Sequence, residues 1–126
     1  MYIEIDFNSD EAIYMQLRNQ IILGIATDKI AVGESLPSVR SLAETVGINM
    51  HTVNKAYAVL KDEGLIKIDR RHGAIVEIDL DKLRSVAEFE DELKPIVAKA
   101  ICRNLSRKEA HKVLDEIYDE YESYIG

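Results

Sequence analysis

The side chains best suited to chemistry lie between Asn49 and Lys55, where amide, imidazole, hydroxyl and ammonium groups follow one another closely. Such groups donate hydrogen bonds to phosphates and to base edges, and lysine adds a positive charge. A second group, Arg70-Arg71-His72, carries up to three positive charges just before Gly73. Both groups are typical of a surface that binds nucleic acid.

Arrangements typical of catalysis or metal binding do not occur in the sequence. The three histidines, at positions 51, 72 and 111, fall on separate predicted elements. Neither a metal-ligand spacing nor a glycine-rich phosphate loop is present. Cys102, the single cysteine, lies in a helix with apolar periodicity, which predicts a buried, inert thiol. We therefore expect a protein that is not an enzyme and that binds no metal and no cofactor.

Two short helices are predicted to position the first group. Pro37 cannot continue a preceding helix, and Ser38 can cap the free backbone N–H groups of the next one. Gly47 can end that helix in the left-handed conformation, Asn49 can cap a second helix, and Gly64 can close it. Both helices have apolar residues three or four positions apart, namely Val39, Leu42, Ala43 and Val46, then Val53, Ala56, Tyr57 and Leu60.

Two short helices joined by a tight glycine turn predict a helix-turn-helix. If the second helix enters a DNA major groove, its first turns bring to the base edges Met50, His51, Thr52, Asn54 and Lys55. Asn49 and Thr52 also suit contacts with phosphate or with the helix end. A helical pair that merely packs would have the same geometry, and geometry alone leaves both interpretations open.

Further elements are predicted on either side of this pair. A helix capped by Ser9 or Asp10 has apolar residues at spacings of three and four and can form a third wall of the core. Residues 2–7 alternate apolar and acidic side chains, which predicts a strand or an extended arm. After the pair, the β-prone runs Leu65–Ile68 and Ala74–Ile78 predict a hairpin.

The turn of this hairpin, Asp69–Gly73, contains the Arg-Arg-His group. Beside a helix-turn-helix such a hairpin is a wing, whose arginines would lie over phosphates and a minor groove, where negative potential is concentrated. The alternative is a loop tip whose charges are simply solvated.

The net charge of −7 argues against a nucleic-acid partner until it is divided along the chain. Residues 14–78 hold eight basic and seven acidic side chains, whereas the segments before and after each have a net charge of −4. The excess acid therefore lies outside the predicted helix-turn-helix and wing. A nearly neutral domain can still bind a duplex if its cations share one face, because charges act over about one Debye length, roughly 8 Å at physiological salt.

Beyond residue 78 the sequence predicts two amphipathic helices, the second begun by the capping box Ser106–Glu109. Two helices of this size cannot enclose a small-molecule cavity, but they can bury their apolar faces against a second copy. We expect the dimer interface to include Leu93, Val97, Val113, Leu114, Ile117, Tyr118 and Tyr121. A symmetric dimer would present two recognition helices about one DNA turn apart, or a multiple of it, and so read a palindrome.

The sequence closely resembles the winged helix-turn-helix signature of the GntR family of bacterial transcription regulators. The resemblance rests on Leu36–Ala43, Gly47-Ile48, Thr52-Val53, Ala56, Leu60 and Glu63–Leu65, and Asn54–Tyr57 looks most like the YtrA subfamily. It implies a short C-terminal dimerisation segment, repression as the expected activity, DNA contacts by the residue matching Arg40, and wing positions at His72 and Gly73 that approach DNA. Arg71 stands where the family usually has a glycine, which leaves the wing conformation open.

We therefore predict a mainly α (α+β) protein, with a winged helix-turn-helix domain at residues 1–78 and a helical dimerisation segment at residues 79–126. It would bind duplex DNA as a homodimer, using Arg40, Asn49–Thr52, Asn54, Lys55 and Arg70–Gly73. The alternative is a winged-helix module that binds protein rather than DNA. No apolar run is long enough to span a membrane, and the acidic N-terminus is unlike a signal peptide, so we expect a cytoplasmic location. The sequence identifies no small-molecule effector.

Overall fold

The computed structural model describes residues 1–125, which form five helices and one two-stranded antiparallel sheet. In chain order the elements are α1 (Ile13–Ala26), α2 (Val39–Val46), α3 (Met50–Asp62), β1 (Ile66–Asp69), β2 (Gly73–Val76), α4 (Lys82–Cys102) and α5 (Arg107–Glu122). The chain divides into two compact units, the first ending at Asp79 and the second beginning at Leu80. This is the mainly α fold with a small wing that the sequence predicts.

Helices α2 and α3 begin and end where the sequence places their caps. The Ser38 hydroxyl accepts a hydrogen bond from the backbone N–H of Ser41 at 3.1 Å. Gly47 then ends α2 in the left-handed conformation, with φ of +80°. The side-chain oxygen of Asn49 accepts from the N–H of His51 at 2.7 Å and starts α3. Because these contacts are local, the turn between the helices is fixed by the residues within it.

The core of the first unit lies between α1, α2, α3 and the sheet. The predicted apolar positions of α3 are all buried, and Leu17 and Ile21 of α1 pack against them as the expected third wall. The buried apolar residues are Leu17, Ile21, Ile30, Leu36, Leu42, Ala43, Val53, Ala56, Tyr57, Leu60, Ile66, Ala74 and Val76. Their burial removes apolar surface from water and so provides the main stabilisation of this unit.

The wing is the antiparallel pair β1–β2, with Ile66 opposite Val76 and Asp69 opposite Gly73. The segment before α2 pairs with the outer edge of β2 through a short antiparallel bridge, which was not predicted from the sequence. Ser35 bridges to Ile75, and the N–H of Leu36 donates to the carbonyl of Ala74 at 2.8 Å. The wing and the chain leading into α2 are therefore joined by backbone hydrogen bonds.

The N-terminal residues form an extended arm rather than a strand. Two glutamines of α1 hold it: the side-chain amide of Gln16 both donates to and accepts from the backbone of Asp6, and Gln20 does the same for Glu4. The predicted cap of α1 was wrong, because the helix begins after Ala12 with no side-chain cap. The Ser9 hydroxyl instead accepts from the N–H of Glu11, within the turn that precedes the helix.

The second unit consists of α4 and α5. Asn104, at φ of +61°, follows α4, and the N–H of Leu105 donates to the carbonyl of Ala100. The predicted capping box is confirmed, since Ser106 and Glu109 each accept from the other's backbone N–H. Neither helix contains a fully buried residue. For this reason the prediction of a buried Cys102 was wrong, and its thiol is exposed in the single chain.

Within residues 1–125, no helix combines the length and the apolar character needed to cross a membrane.

Candidate nucleic-acid interface

The solvent-facing side of α3 carries the predicted base-contacting residues. Met50, His51, Asn54 and Lys55 are exposed, and Thr52 is half-buried. The opposite side of the helix packs into the core through Val53, Ala56, Tyr57 and Leu60. Asn49 uses its side-chain oxygen for the helix cap, which leaves its amide NH₂ group to donate to a ligand. The α3 surface therefore presents several donors around one accessible helix face.

Asn54 and the wing face the same groove. The residues that line this groove include Ser38 and Val39 at the start of α2, Asn54 on α3, and Gly73 on β2. The three elements that carry Arg40, Asn54 and the wing tip therefore border one depression on the molecule. This arrangement is the one that a helix-turn-helix with a wing needs if helix and wing are to approach the same duplex.

Arg40 is exposed in the first turn of α2. The simplest structural role for it would be an ion pair with Glu44, four residues further along the helix. Among residues 1–125, Arg40 makes no ion pair and no side-chain hydrogen bond. Its guanidinium is thus available to an external acceptor.

The wing tip is organised by Asp69, a residue that the sequence analysis did not single out. One carboxylate oxygen of Asp69 accepts from the N–H of Arg71 at 2.7 Å, and the other lies 3.1 Å from Nδ1 of His72. The hydrogen bond from the Arg71 backbone, with the His72 contact, lowers the pKa of the Asp69 carboxyl. An aspartate that bonds to the backbone two residues on is a recognised turn signal, and it could have been read from the sequence.

Arg71, which replaces a glycine usual in the family, causes no backbone strain in the wing turn. Gly73 has the left-handed conformation, with φ of +70°. The φ of Arg71 is not positive, so its backbone conformation is one that any residue can adopt. The side chains of Arg70, Arg71 and His72 are exposed, and neither arginine has an ion-pair partner within the described chain. The tip therefore presents two unpaired guanidinium groups.

Two tyrosines link the interface to the rest of the first unit. The buried Tyr57 of α3 donates its hydroxyl to the carbonyl of Pro37 at 2.7 Å, and burial raises its pKa. The bond joins α3 to the residues that precede α2. The Lys55 ammonium lies 4.1 Å from the ring centroid of Tyr14 on α1. Neither contact was predicted, because neither has a signal in the local sequence.

The residues predicted at the dimer interface all lie in the second unit. Leu93 is half-buried in the single chain, whereas the others are exposed, namely Val97, Val113, Leu114, Ile117, Tyr118 and Tyr121. Several of them line an apolar groove between α4 and α5. As to metal sites, no group of three potential ligands is found within residues 1–125.

Three helices, a tight turn between α2 and α3, and a wing over the same groove define a winged helix-turn-helix protein. The family model described as "Bacterial regulatory proteins, gntR family" matches residues 10–76, more than half of the chain. The chain belongs to this family, and it is a helix-turn-helix transcriptional regulator.

Similar proteins carry YtrA names, which confirms the resemblance to that subfamily. The chain is 29% identical over 118 residues to the "HTH-type transcriptional repressor YtrA" of Bacillus subtilis, covering 91% of each chain. It is 37% identical to the solved structure of "YtrA from Sulfolobus acidocaldarius, a GntR-family transcription factor", with a TM-score of 0.68 over 79% of this chain and 97% of that one.

Two further solved structures bear on function. A "Transcriptional Antiterminator from Listeria monocytogenes EGD-e" has a TM-score of 0.82 and 27% identity, covering 96% of this chain and 92% of that one. The structure of "AraR(DBD) in complex with operator ORX1" has a TM-score of 0.52 and 25% identity, covering 60% of this chain and 98% of that one. The second shows a domain of similar fold and sequence bound to its operator.

Proposed function

We propose that the protein is a repressor that binds a palindromic DNA operator as a homodimer. The observation that supports this most is the groove shared by the start of α2, Asn54 of α3 and Gly73 of the wing. Unpaired guanidinium groups at Arg40, Arg70 and Arg71 are carried by the same elements. Cations that are not neutralised within the protein can replace the counterions of DNA phosphates.

Each part of the surface has a distinct role in this proposal. Arg40 pairs with a guanine through both arms of its guanidinium, a geometry that contributes about 1–3 kcal/mol of base discrimination. The exposed side of α3 enters the major groove and contacts bases or phosphates through Asn49, Met50, His51, Thr52, Asn54 and Lys55. The wing follows the backbone and the adjacent minor groove through Arg70, Arg71, His72 and Gly73.

The second unit supplies the dimer contact. In one chain its apolar side chains remain in water: Val97 is 47% exposed, Val113 is 49% exposed and Ile117 is 40% exposed. Apolar surface of this extent marks a protein interaction site, and a symmetric second copy would cover it with the same residues. The tyrosines at 118 and 121 suit such an interface, because an aromatic ring with a polar end tolerates the boundary with water.

Two copies related by a twofold axis predict an operator with two inverted half-sites. Their centres should be about one DNA turn apart, roughly 34–36 Å, or a multiple of that spacing. The repressor name of the Bacillus subtilis relative supports repression as the outcome of binding.

The test is a selection of genomic fragments by the purified chain, followed by sequencing and a titration of the retained fragments against salt. We expect the retained fragments to share an inverted repeat. The logarithm of the binding constant should fall linearly with the logarithm of the salt concentration, with a slope of about −0.9 per phosphate contact. The matched variant pair is Arg40→Ala, which should bind the repeat more weakly and lose preference at one position of each half-site, and Lys29→Ala, which removes a cation from another part of the first unit. Failure to retain any fragment at about 50 mM salt would instead favour a module that binds protein.

The antiterminator name of one structural relative calls for an RNA control. A duplex RNA of the selected sequence should not compete, because the major groove of A-form RNA is too deep and narrow for the side chains of α3 to read. Equal competition by this RNA would overturn the proposed reading of a DNA major groove.

A further inference from the structure

One ring contact links the recognition helix to α1. The Nζ atom of Lys55 lies 4.1 Å from the ring centroid of Tyr14, close enough for the ring to attract the ammonium charge. Tyr14 is half-buried and packs against the core, whereas Lys55 is exposed. The ring is therefore a fixed surface on which a flexible cation rests.

The ammonium remains open to a ligand. Tyr14 and Lys55 line an open depression together with Ile13, His51 and Thr52. Lys55 forms no ion pair with any residue of the described range, so its charge is not neutralised within the protein. The depression therefore combines the ammonium of Lys55 with the imidazole of His51 and the hydroxyl of Thr52. These are groups that donate hydrogen bonds to a phosphate.

We propose that Tyr14 is a positioning residue that holds the Lys55 ammonium ready to contact a phosphate of the operator backbone. The inference rests on the proposed DNA binding and assigns a role to a residue outside the helix-turn-helix. A lysine side chain has several rotatable bonds and loses conformational freedom when it is immobilised. A ring that already restricts the side chain in the free protein reduces that loss, and it does so without touching the DNA.

The experiment is a double-mutant cycle on the selected operator, with Tyr14→Phe, Tyr14→Leu and Lys55→Gln measured by fluorescence anisotropy. Tyr14→Phe retains the aromatic face and should bind like the wild type. Tyr14→Leu should weaken binding roughly two- to fivefold for each half-site, as expected for an exposed cation–π contact. In the Lys55→Gln background, Tyr14→Leu should have no further effect. Additive losses, or a loss of affinity in Tyr14→Phe, would overturn the proposal, as would tighter binding by Tyr14→Leu.

Salt dependence separates positioning from general damage to the fold. Lys55→Gln removes one phosphate contact from each half-site, so for the dimer the slope of log affinity against log salt should become shallower by about 1.8, which is 0.9 per contact. Tyr14→Leu keeps the lysine and should retain the wild-type slope despite its lower affinity. A wild-type slope in Lys55→Gln would show that this lysine contacts no phosphate and would overturn the proposal.

A measurement without DNA separates the failure of this inference from failure of the proposed function. In the free protein the ring current of Tyr14 should shift the NMR signals of the Lys55 ε-methylene protons, and Tyr14→Phe should keep the shift while Tyr14→Leu loses it. Absence of this shift from the wild type would overturn the contact itself. If the shift is present but the wild type retains no DNA, the proposed function fails, and the role of Tyr14 toward a phosphate fails with it.

Discussion

Arg40 illustrates how an unpaired side chain points to an external partner. A surface ion pair with Glu44 would contribute only a few tenths of a kcal/mol, and the arginine does not form it. A free guanidinium keeps its donors for a planar acceptor such as the edge of guanine.

Arg40→Ala should weaken operator binding by about 1–3 kcal/mol for each half-site, which is roughly 5- to 150-fold per half-site, and should leave the unfolding temperature unchanged. The loss should be concentrated on one base pair in each half-site, because a bidentate contact reads a single base. Binding to operators with each base pair changed in turn would measure this. Unchanged affinity would remove Arg40 from the interface.

Asp69 organises the wing tip without any proposed contact to DNA. Asp69→Ala should loosen the turn and weaken operator binding a few-fold, because Arg70 and Arg71 would no longer be presented by a fixed turn. Asp69→Asn is the matched control, since its side-chain oxygen can still accept from the N–H of Arg71. Anisotropy titrations of both variants would measure the effect. Equal behaviour of the two variants would contradict this role for the accepted hydrogen bond.

The pH dependence of the same turn follows from the lowered pKa of Asp69. The ionised carboxylate is the form that the folded turn favours, so its contribution is fully present above the unfolded pKa of about 3.9. It is lost only as pH falls through the still lower folded value. Amide hydrogen exchange at Arg71, corrected for its intrinsic rate, should therefore show constant protection from about pH 5 to pH 8. Loss of protection within that window would contradict this assignment.

Two glycines in the left-handed conformation fix where helices α2 and α3 end. Gly47 closes α2 at φ of +80°, and Gly64 follows α3 at φ of +77°. A Cβ atom on Gly47 would meet nothing within 4 Å, whereas one on Gly64 would lie 2.8 Å from Cβ of Asp79. The two positions share a backbone conformation and differ in the space around them.

Gly47→Ala should therefore lower the free energy of unfolding by about 1–2 kcal/mol, the cost of the left-handed conformation alone. Gly64→Ala should cost more, because its Cβ also collides with the side chain of Asp79. Urea unfolding of both variants would measure the difference. A Gly64→Ala protein as stable as Gly47→Ala would show that Asp79 moves aside at little cost.

Elements set by neighbouring residues could be predicted, and long-range contacts could not. The caps at Ser38, Asn49 and Ser106 follow from side chains that bond within one helical turn, so the sequence contains the whole interaction. The bridge from Ser35 to Ile75 and the ring contact of Tyr14 join residues that only the folded chain brings together. The residues proposed to contact DNA were named from pattern and resemblance, and the structure adds the groove that brings Asn54 and the wing together.

The exposed apolar faces of α4 and α5 make self-association the central expectation for this protein. Ile117→Asp places a charge among them and should convert dimers to monomers, because burying an unpaired carboxylate is costly. Operator binding should weaken strongly, since each monomer holds only one half-site. Light scattering would report the mass of the particle. The expectation fails if that mass stays at two chains.

Lys112→Asp is the matched control for this change. Lys112 lies on the same helix with a side chain that is 78% exposed, and its contact with Glu116 is long, at 4.0 Å. An aspartate there alters the charge of α5 without entering the apolar faces. The control should remain a dimer. The effect of Ile117→Asp would then be due to its place in the apolar face and not to the added negative charge.

The hydrogen bonds that tie β2 to the chain before α2, and Tyr57 to Pro37, have a mechanical consequence. The wing, α2 and α3 are each joined to the same few residues around Leu36, and these bonds oppose independent tilting of the three elements. In the proposed dimer, each chain would meet its half of the operator as a preformed template. A signal that released the DNA would then act by changing the separation of the two templates, with little remodelling inside either one.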